Sequence, residues 1–278
     1  MPVLFSAFMT MTIIPPSFPF DQQAGRFDRE SGLPAAAKPV AKALLEWDRH
    51  GTGLLLEIGI GTGEIGVELA AITDYLGVDL SLPMLEQARA RFRQAGLPLR
   101  LAQADGNRTW PVRDASVGLV FLSRAAHLLS PEHLVDEVLR SAHPAGIILV
   151  LGRIRRQEDS LRNELRREMR RLLAASGISG RRGEEATRQL IAALAAHGGT
   201  ALPSRIAATW PVREKPAAAL AAWRGKPGLA GVALDETAKH QILDRLERWA
   251  LERYGNLEAG HDTEESYELT AIRLPSRK

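Results

Sequence analysis

The sequence contains no cysteine. This absence excludes disulfides, thiolate nucleophiles, cysteine-ligated zinc and iron–sulfur clusters. A chain without cysteine fits a cytoplasmic protein, which is the predicted location. The sequence also lacks internal repeats and low-complexity linkers. We predict neither a metal site nor a second independent domain.

A hydrophobic run long enough to span a bilayer is missing as well. Residues 3–14 are apolar but too short to cross a membrane, and two prolines follow them at once. The run lacks the basic flank of a secretory signal peptide. We expect residues 1–17 to form a loose tail, with peripheral membrane contact as the alternative.

What is present is ordinary for a globular protein. Hydrophobic residues make up 45% and charged residues 25% of 278 positions. That length is ample for one large α/β domain. The formal net charge of +3 is a mild basic excess, which alone does not imply nucleic-acid binding.

Short apolar runs alternate with segments of helical periodicity over the first half of the chain. The predicted strands are residues 54–58, 75–78, 99–102, 117–122 and 147–151. Helical patterns lie between most of them. This alternation predicts a parallel, doubly wound sheet.

After residue 151 the alternation stops. Helices are predicted at 160–175, 184–197 and 236–254, and further strands at 205–209 and 267–271. Because Tyr267, Leu269 and Ala271 alternate on one face, we expect the last strand to be an antiparallel edge strand. We therefore predict one domain over residues 18–278, with helical additions at about 158–198 and 213–256.

The most informative motif follows the first strand. Glu57 closes an apolar strand, and Gly59, Gly61 and Gly63 then occupy every second position before helical periodicity resumes. Glycines let the backbone turn sharply and leave room for a ligand against the main chain, which predicts nucleotide binding. The glycines can be aligned with a binding motif in two ways. Gly61-x-Gly63-x-x-Gly66 matches the dinucleotide fingerprint, and Glu57-x-Gly59-x-Gly61-x-Gly63 is the alternative register.

An acidic residue, Asp79, follows the second predicted strand. An aspartate there can accept both ribose hydroxyls, in the crevice where doubly wound folds bind ligands. The alternative is that Asp79 only caps the helix that begins near Ser81. Its position in the crevice favours the ribose.

The register that begins at Glu57 resembles the E/D-x-G-x-G-x-G motif of class I S-adenosylmethionine-dependent methyltransferases. An acid at the strand end is typical of that family, and it would repel the pyrophosphate of a dinucleotide. Residues 77–89, 104–106 and 137–146 are similar to further motifs of the family, in the same order. Gly118 and Ala145 depart from the family pattern without removing a predicted cofactor contact. The likeness covers roughly residues 20–151.

The resemblance implies a Rossmann-like, doubly wound, seven-stranded sheet that is mostly parallel with one antiparallel strand. It implies S-adenosylmethionine as the cofactor, with S-adenosylhomocysteine as its product. By analogy, Glu57 holds the cofactor's ammonium and Asp79 its ribose. The other implied contacts are Gly59, Ile60, Gly61 and Gly63 along the methionine part, Leu80 and Met84 around the adenine, Asp105 and Gly106 at its amino edge, Ser123 and Arg124 at the sulfonium, and Phe20 and Phe27 as a cover. The alternative for the two phenylalanines is simple packing on the core.

Methyl transfer by in-line displacement chiefly needs alignment of the acceptor. A general base is needed only where the nucleophile arrives protonated, and His127 is the candidate because imidazole titrates near neutral pH. The alternative, which we favour, is that His127 packs in the loop after the fourth strand.

The helical additions occupy the places where this family builds its acceptor pocket. Trp210, Trp223 and Trp249 either line such a pocket or belong to the core. Residues 153–182 are rich in arginine, and we interpret them as a solvated helix face with i,i+3 ion pairs and a partial role as a lid. An acidic acceptor, an anionic membrane surface and RNA are the alternatives. Because no aromatic residue interleaves the arginines, nucleic acid is an unfavoured partner.

We therefore predict a class I methyltransferase that acts on a small molecule, similar to the methyltransferases of quinone biosynthesis. The alternatives are a tRNA or rRNA methyltransferase that uses the arginine-rich helix, an NAD(P)-dependent oxidoreductase, and a family member without catalytic activity. No Asn-Pro-Pro-Tyr-like segment follows the fourth strand, which disfavours methylation of exocyclic base nitrogens. The sequence predicts neither the acceptor atom nor the oligomeric state.

Overall fold

The computed structural model describes residues 20–28, 33, 36–47, 53–178, 183–226, 228–230 and 232–276. The predicted tail, residues 1–17, lies outside the described residues. The helices are α1 (Phe20–Gln23), α2 (Ala37–Leu45), α3 (Glu64–Ala70), α4 (Leu82–Gln94), α5 (Pro131–Ser141), α6 (Leu161–Ala175), α7 (Gly183–Ala196), α8 (Pro216–Arg224) and α9 (Glu236–Tyr254), with short 3-10 helices η1 (Ala24–Arg26) and η2 (Ala126–Leu128). The strands are β1 (Leu54–Ile58), β2 (Tyr75–Asp79), β3 (Leu101–Gln103), β4 (Val117–Ser123), β5 (Ile147–Arg156), β6 (Thr200–Glu214) and β7 (His261–Leu274).

The described strands form one seven-stranded sheet in the order β3-β2-β1-β4-β5-β7-β6. Strands β1 to β5 run parallel, and β7 pairs antiparallel with both β5 and β6. The predicted fold, mostly parallel with one antiparallel strand, is confirmed. The strand order reverses between β1 and β4, and this switch point opens a crevice at the carboxyl ends of the strands.

The antiparallel strand lies inside the sheet, so its predicted place at the edge is wrong; β6 is the edge strand. Tyr267 and Leu269 are buried, as their alternation indicated. Glu268 between them is also nearly buried, because Arg153 and Arg155 of β5 donate hydrogen bonds to its carboxylate at 2.7 and 2.8 Å. From the sequence alone, a glutamate at this position predicts a side chain that faces solvent. Its burial becomes evident only when β7 is paired with β5.

The last three strands are longer than predicted. Strand β5 continues five residues beyond the apolar run 147–151, to Arg156, and β6 and β7 extend on both sides of their predicted cores. The extensions nearest the cap carry charged and polar side chains: Arg156 lies beside Glu265 of β7, and Glu214 of β6 lies beside His261. Apolar alternation cannot detect these charged parts of the strands.

Helices cover both faces of the sheet. On the face that we call the front, Leu55 of β1 and Phe121 of β4 pack with α2, α3 and α4. On the back face, Leu56 of β1 packs with α5 and α7. Alternate residues of a strand point to opposite faces. Glu57 and Ser123 therefore point to the front.

Helices α6, α8 and α9 pack on one another around a third apolar cluster that includes Leu165, Trp223 and Leu246. We call these three helices the cap. The predicted additions at 158–198 and 213–256 contain the cap, but α7 leaves it and packs on the back face of the sheet.

Within the described ranges, no helix combines the length and the apolarity needed to cross a bilayer. In the same ranges, no three His, Asp or Glu side chains are grouped so that they could hold a metal ion.

One polar network fixes the loop between β3 and β4. Glu137 of α5 accepts a hydrogen bond from the backbone N–H of Trp110 at 2.7 Å, and Arg140 donates to both carboxylate oxygens of Glu137. Arg140 also donates to the carbonyls of Trp110 and Val112 and forms an ion pair with Asp114. Burial opposes the charge on Glu137, but the hydrogen bonds from Arg140 and Trp110 outweigh it and lower the pKa of Glu137.

We expect Glu137→Gln to lower the free energy of unfolding at neutral pH by about 2–3 kcal/mol, because Arg140 loses its buried counter-charge. Since folding lowers the pKa of Glu137, its contribution is present above the unfolded value of 4.5 and is lost as the pH falls through the folded value. Urea unfolding measures the change. Asp136→Asn, an exposed neighbour on α5, is the control and should change stability by less than about 0.5 kcal/mol. Equal effects of the two substitutions would contradict this account.

Candidate cofactor-binding site

The glycine loop leaves β1 at the crevice and turns toward α3. Gly59, Gly61 and Gly63 have φ angles of 77°, 58° and 79°, in the left-handed region that favours glycine. A Cβ on Gly59 would also lie 2.7 Å from the Ala125 Cβ. The Gly59 N–H donates to the Val78 carbonyl at 2.8 Å, which ties the loop to β2. The sequence motif thus forms a fixed turn at the carboxyl end of β1.

Asp79 ends β2 beside this loop. Its Oδ2 accepts the Gly61 N–H at 2.7 Å, and its Oδ1 accepts the Ser81 N–H at 2.9 Å. Burial raises the pKa of Asp79, against the opposing effect of these hydrogen bonds. The cap of α4 is Ser81, whose Oγ accepts the Met84 N–H at 3.3 Å. Asp79 therefore joins the glycine loop to the start of α4, in the crevice where the ribose contact was predicted.

Glu57 lies beneath the loop, on the front face of the sheet. It is 1% exposed, and its Oε2 accepts a hydrogen bond from the Tyr75 hydroxyl at 2.6 Å. Burial raises the pKa of Glu57 to about 8; the Tyr75 hydrogen bond acts against this rise, and the charge of Asp79 adds to it. The loop therefore sits over a carboxyl group whose ionisation is unfavourable.

Gly66 of α3 makes room for this pair. A Cβ there would lie 2.3 Å from the Tyr75 hydroxyl oxygen and 3.0 Å from Glu57 Oε2. Gly66, the third glycine of the dinucleotide register, is therefore explained by the packing of Tyr75 and Glu57 and does not require a bound dinucleotide. Sequence reasoning missed Tyr75 as a partner of Glu57. The only signal is the parallel register, which places Leu55 beside Tyr75 and Glu57 beside Gly77 and so puts both side chains on one face.

The residues predicted at the adenine lie at the carboxyl ends of β2 and β3. Leu80 is partly buried, and its carbonyl accepts a hydrogen bond from the Gln103 side chain at 3.1 Å. Met84 is buried in the first turn of α4. Asp105, which is partly buried, and Gly106 follow β3. The structure brings these residues to one edge of the sheet, and their contact with a cofactor stays a prediction.

The residues predicted at the sulfonium lie at the end of β4, next to β1. The Ser123 Oγ and the Tyr267 hydroxyl share a hydrogen bond of 2.6 Å. Arg124 has a φ of 57°, its N–H donates to the Gly152 carbonyl at 2.8 Å, and its guanidinium lies 5.4 Å from the centre of the Phe27 ring. Burial lowers the pKa of Arg124. Tyr267 was missed at this site because its strand was expected at the edge of the sheet.

Residues 20–28 lie against the glycine loop and α4. Asp21 Oδ1 accepts a hydrogen bond from the Ser81 hydroxyl at 2.6 Å, and Asp28 accepts one from the Thr62 hydroxyl. These bonds hold the segment over the predicted cofactor site. No sequence signal marked the two aspartates, since only Phe20 and Phe27, each directly before one of them, fit the family pattern.

Both phenylalanines of this segment are partly buried. Phe27 stands between the loop and β4, with its Cε1 3.9 Å from where a Gly61 Cβ would be and its ring under Arg124. Phe20 begins α1. The placement suits a cover as well as simple packing, so the two interpretations of Phe20 and Phe27 stay open.

His127 lies in η2, and its side chain is exposed. The 3-10 helix contacts α7, which covers the back face, whereas Ser123 points to the front. A general base must come within hydrogen-bond reach of the acceptor. The catalytic role of His127 stays a prediction.

The arginine-rich helix α6 is solvated on only part of its surface. Arg171 is exposed and pairs with Glu168 at 2.5 Å, which is an i,i+3 pair of the kind expected. Arg162 and Arg166 are instead partly buried. The interpretation as a solvated face is wrong for these two, because the cap turns them toward the sheet.

The three tryptophans take core positions. Trp223 is buried in the cap, and Trp249 packs on the same cluster with its ring 6.0 Å from that of Tyr254. Trp210 packs on the front-face cluster. The core alternative for these residues is therefore the better description.

Residues 55–146 match the sequence profile of a family described as a methyltransferase domain. No curated protein matches the chain. The YcgJ protein from Bacillus subtilis is similar in structure over 86% of this chain and 99% of its own, at 17% identity and a TM-score of 0.50. A proposed methyltransferase from Bacillus halodurans C-125 is similar over 84% and 98%, at 15% identity and a TM-score of 0.53. The 4+2 cyclase SpnF is similar over 87% and 82%, at 19% identity and a TM-score of 0.50.

At these identities the structural likeness shows a shared fold alone. The family match is independent of it and contains Glu57, the glycine loop, Asp79 and Asp105. The sheet order, with β7 antiparallel between β5 and β6, agrees with that match. Residues 55–146, which include the glycine loop and the acidic strand ends, therefore carry a methyltransferase domain.

Proposed function

We propose that the protein binds S-adenosylmethionine at the carboxyl ends of β1, β2 and β3 and transfers its methyl group to a small molecule. The observation that carries this proposal is the buried carboxyl group of Glu57 beneath the glycine loop, with Asp79 nearby. A cation above this pair offsets the unfavourable burial of negative charge, and a pyrophosphate adds to it. S-adenosylmethionine brings an ammonium and a sulfonium, whereas NAD(P) brings a pyrophosphate. The buried acidic groups therefore favour S-adenosylmethionine over NAD(P).

The residues present fit this cofactor. When bound, it supplies a methyl group on a positively charged sulfur, which is already electrophilic. Asp79 would hold the ribose, and Glu57 would stabilise the ammonium through space or through water. Leu80 and Met84 offer apolar surface to the adenine. Gly61 leaves open space above the loop, since a Cβ there would meet only Phe27 at 3.9 Å among the described atoms.

The rest of the site would align the acceptor and exclude water. Alignment of this kind contributes about 7–11 kcal/mol to lowering the barrier. Residues 20–28 cover the loop, and Ser123 and Arg124 border the place where the acceptor must approach. Burial raises the pKa of Tyr267, so its hydroxyl stays protonated and orients groups by hydrogen bonding rather than acting as a base.

A small-molecule acceptor is better supported than RNA. Binding to an RNA backbone needs arginines on an exposed surface. Arg162 and Arg166 are partly buried, and the exposed Arg167 and Arg171 are paired with Glu164 and Glu168, which reduces the positive charge that α6 offers to a phosphate backbone. A quinone-like acceptor remains a prediction from family resemblance. Because the cyclase SpnF shares this fold, methyl transfer itself has to be measured as turnover.

We expect Asp79→Ala to weaken S-adenosylhomocysteine binding by about 10- to 100-fold, the loss of one or two charge-assisted hydrogen bonds. Isothermal titration calorimetry at neutral pH measures the affinity, and circular dichroism verifies that the variant is folded. Asp74→Ala, at an exposed position just before β2, is the control and should bind as the wild type does.

Unchanged affinity in folded Asp79→Ala protein would mean that the site is misplaced. Titration of the wild type with NAD separates the cofactors. Tight NAD binding without binding of S-adenosylhomocysteine would refute the proposed function.

We expect the stability of the free protein to depend on pH through Glu57. Folding raises the pKa of Glu57 from 4.5 to about 8. Its contribution is therefore fully present below 4.5 and is lost as the pH rises through about 8. Glu57→Gln keeps an acceptor for Tyr75 and removes the titration, so the thermal unfolding midpoint should fall less with rising pH than in the wild type. Glu86→Gln, exposed on α4, should follow the wild type. Parallel curves for Glu57→Gln and the wild type would disprove the role of Glu57.

A further inference from the structure

Arginines gather where β5 ends and α6 begins. Arg156 is the last residue of β5, and Arg162 and Arg166 lie four residues apart on one face of α6. All three are partly buried. They stand between the cap and the polar extensions of the sheet, and the methyltransferase motifs do not include them.

Two carboxylates face these three guanidinium groups. Arg156 Nε lies 2.6 Å from Glu265 Oε1, and the Arg162 backbone N–H donates to Glu214 Oε2 at 3.1 Å. Burial and then the charges of Arg156 and Arg162 lower the pKa of Arg166 to about 10. Positive charge is thus in excess at a place where solvent screens it poorly.

Several polar atoms in this cluster are buried without hydrogen bonds. Arg162 Nε, Glu214 Oε1 and His261 Nε2 have no hydrogen-bond partner among the described residues. Arg156 Nε is in the same state, because its close contact with Glu265 is not aligned for a hydrogen bond. Buried donors are nearly always satisfied by protein, water or a ligand. Unpaired N–H groups on crowded guanidinium groups call for an acceptor that carries negative charge.

The cluster adjoins the end of β4. Arg156 pairs in register with Glu265, two residues before Tyr267 on the same strand and the same face. The Tyr267 hydroxyl in turn shares its hydrogen bond with Ser123. The charge of Arg156 also acts on Arg124, which follows Ser123. Arg156 therefore lies on the front face, close to the end of β4 where the proposed function places the reacting methyl group.

We infer that the acceptor carries a carboxylate or a phosphate, and that Arg156, Arg162 and Arg166 bind this anionic group. The inference rests on the proposed function, which places an acceptor beside β4. Guanidinium groups suit it because their planar N–H pairs match the oxygens of both anions. A strand end and a helix hold the three side chains, so the anion would fix the acceptor's orientation toward Ser123.

A purely structural role makes the opposite prediction. If the arginines only lock the cap to the sheet through Glu214 and Glu265, removing one of them lowers the thermal unfolding midpoint. If they form an anion site, removing one relieves like-charge repulsion. Arg166→Gln then leaves the midpoint unchanged or raises it.

The test is calorimetric titration of the protein, saturated with S-adenosylhomocysteine, with phenylphosphate and separately with benzoate. We expect one of these anions to bind the wild type and to lose at least about tenfold in affinity in Arg162→Gln and in Arg166→Gln. Arg167→Gln removes the same charge from an exposed position of α6 and should lose less than about twofold. The affinity for S-adenosylhomocysteine should be the same in all four proteins.

The outcomes separate this inference from the proposed function. Binding of S-adenosylhomocysteine without binding of either anion overturns the inference alone. Equal losses in the three variants, or a lower unfolding midpoint of Arg166→Gln with anion binding retained, also overturn it. Failure of the wild type to bind S-adenosylhomocysteine refutes the proposed function and, with it, the acceptor site.

Discussion

The carboxyl group of Glu57 is buried between β1, β2 and α3, and the Tyr75 hydroxyl is its hydrogen-bond donor. This burial constrains its surroundings. Residue 66 must be glycine, β2 must present Tyr75 on the front face, and the loop above must turn through left-handed glycines. Because burial raises the pKa of Glu57, a positive charge above it is favoured and a negative charge is not. One interaction therefore determines local packing and the charge of the ligand.

Charge is unevenly distributed along the carboxyl edge of the sheet. Acids stand at the ends of β1 and β2, as Glu57 and Asp79, and arginines stand at the ends of β4 and β5, as Arg124 and Arg156. The cofactor proposed for the first group brings positive charge, and the acceptor inferred for the second is an anion. The cofactor and the acceptor would meet beside Ser123. The arrangement depends on β5 and β7, which extend past the apolar core and carry charged side chains there.

Much of this could be predicted because its signals are local. The apolar strands end near where their apolar runs end, and the glycine loop and Asp79 stand within single motifs. The remainder depends on pairing between distant segments. Glu268 indicates a solvent-facing strand until Arg153 is placed opposite it. The contact of Tyr75 with Glu57 needs the parallel register, and the burial of Arg166 needs the cap to be folded. Hydrophobic periodicity records none of these.

The central claim is that the buried acid selects a cationic group. It is tested most directly by comparing S-adenosylhomocysteine with methylthioadenosine, which keeps the adenosine and the sulfur but lacks the amino-acid part. Calorimetry gives both affinities at about pH 6, where Glu57 of the free protein is protonated, and at about pH 8, where about half of it is ionised. The account predicts that S-adenosylhomocysteine binds more tightly and that its advantage grows as the pH rises. An advantage that does not change with pH, or equal affinities for the two ligands, would contradict it.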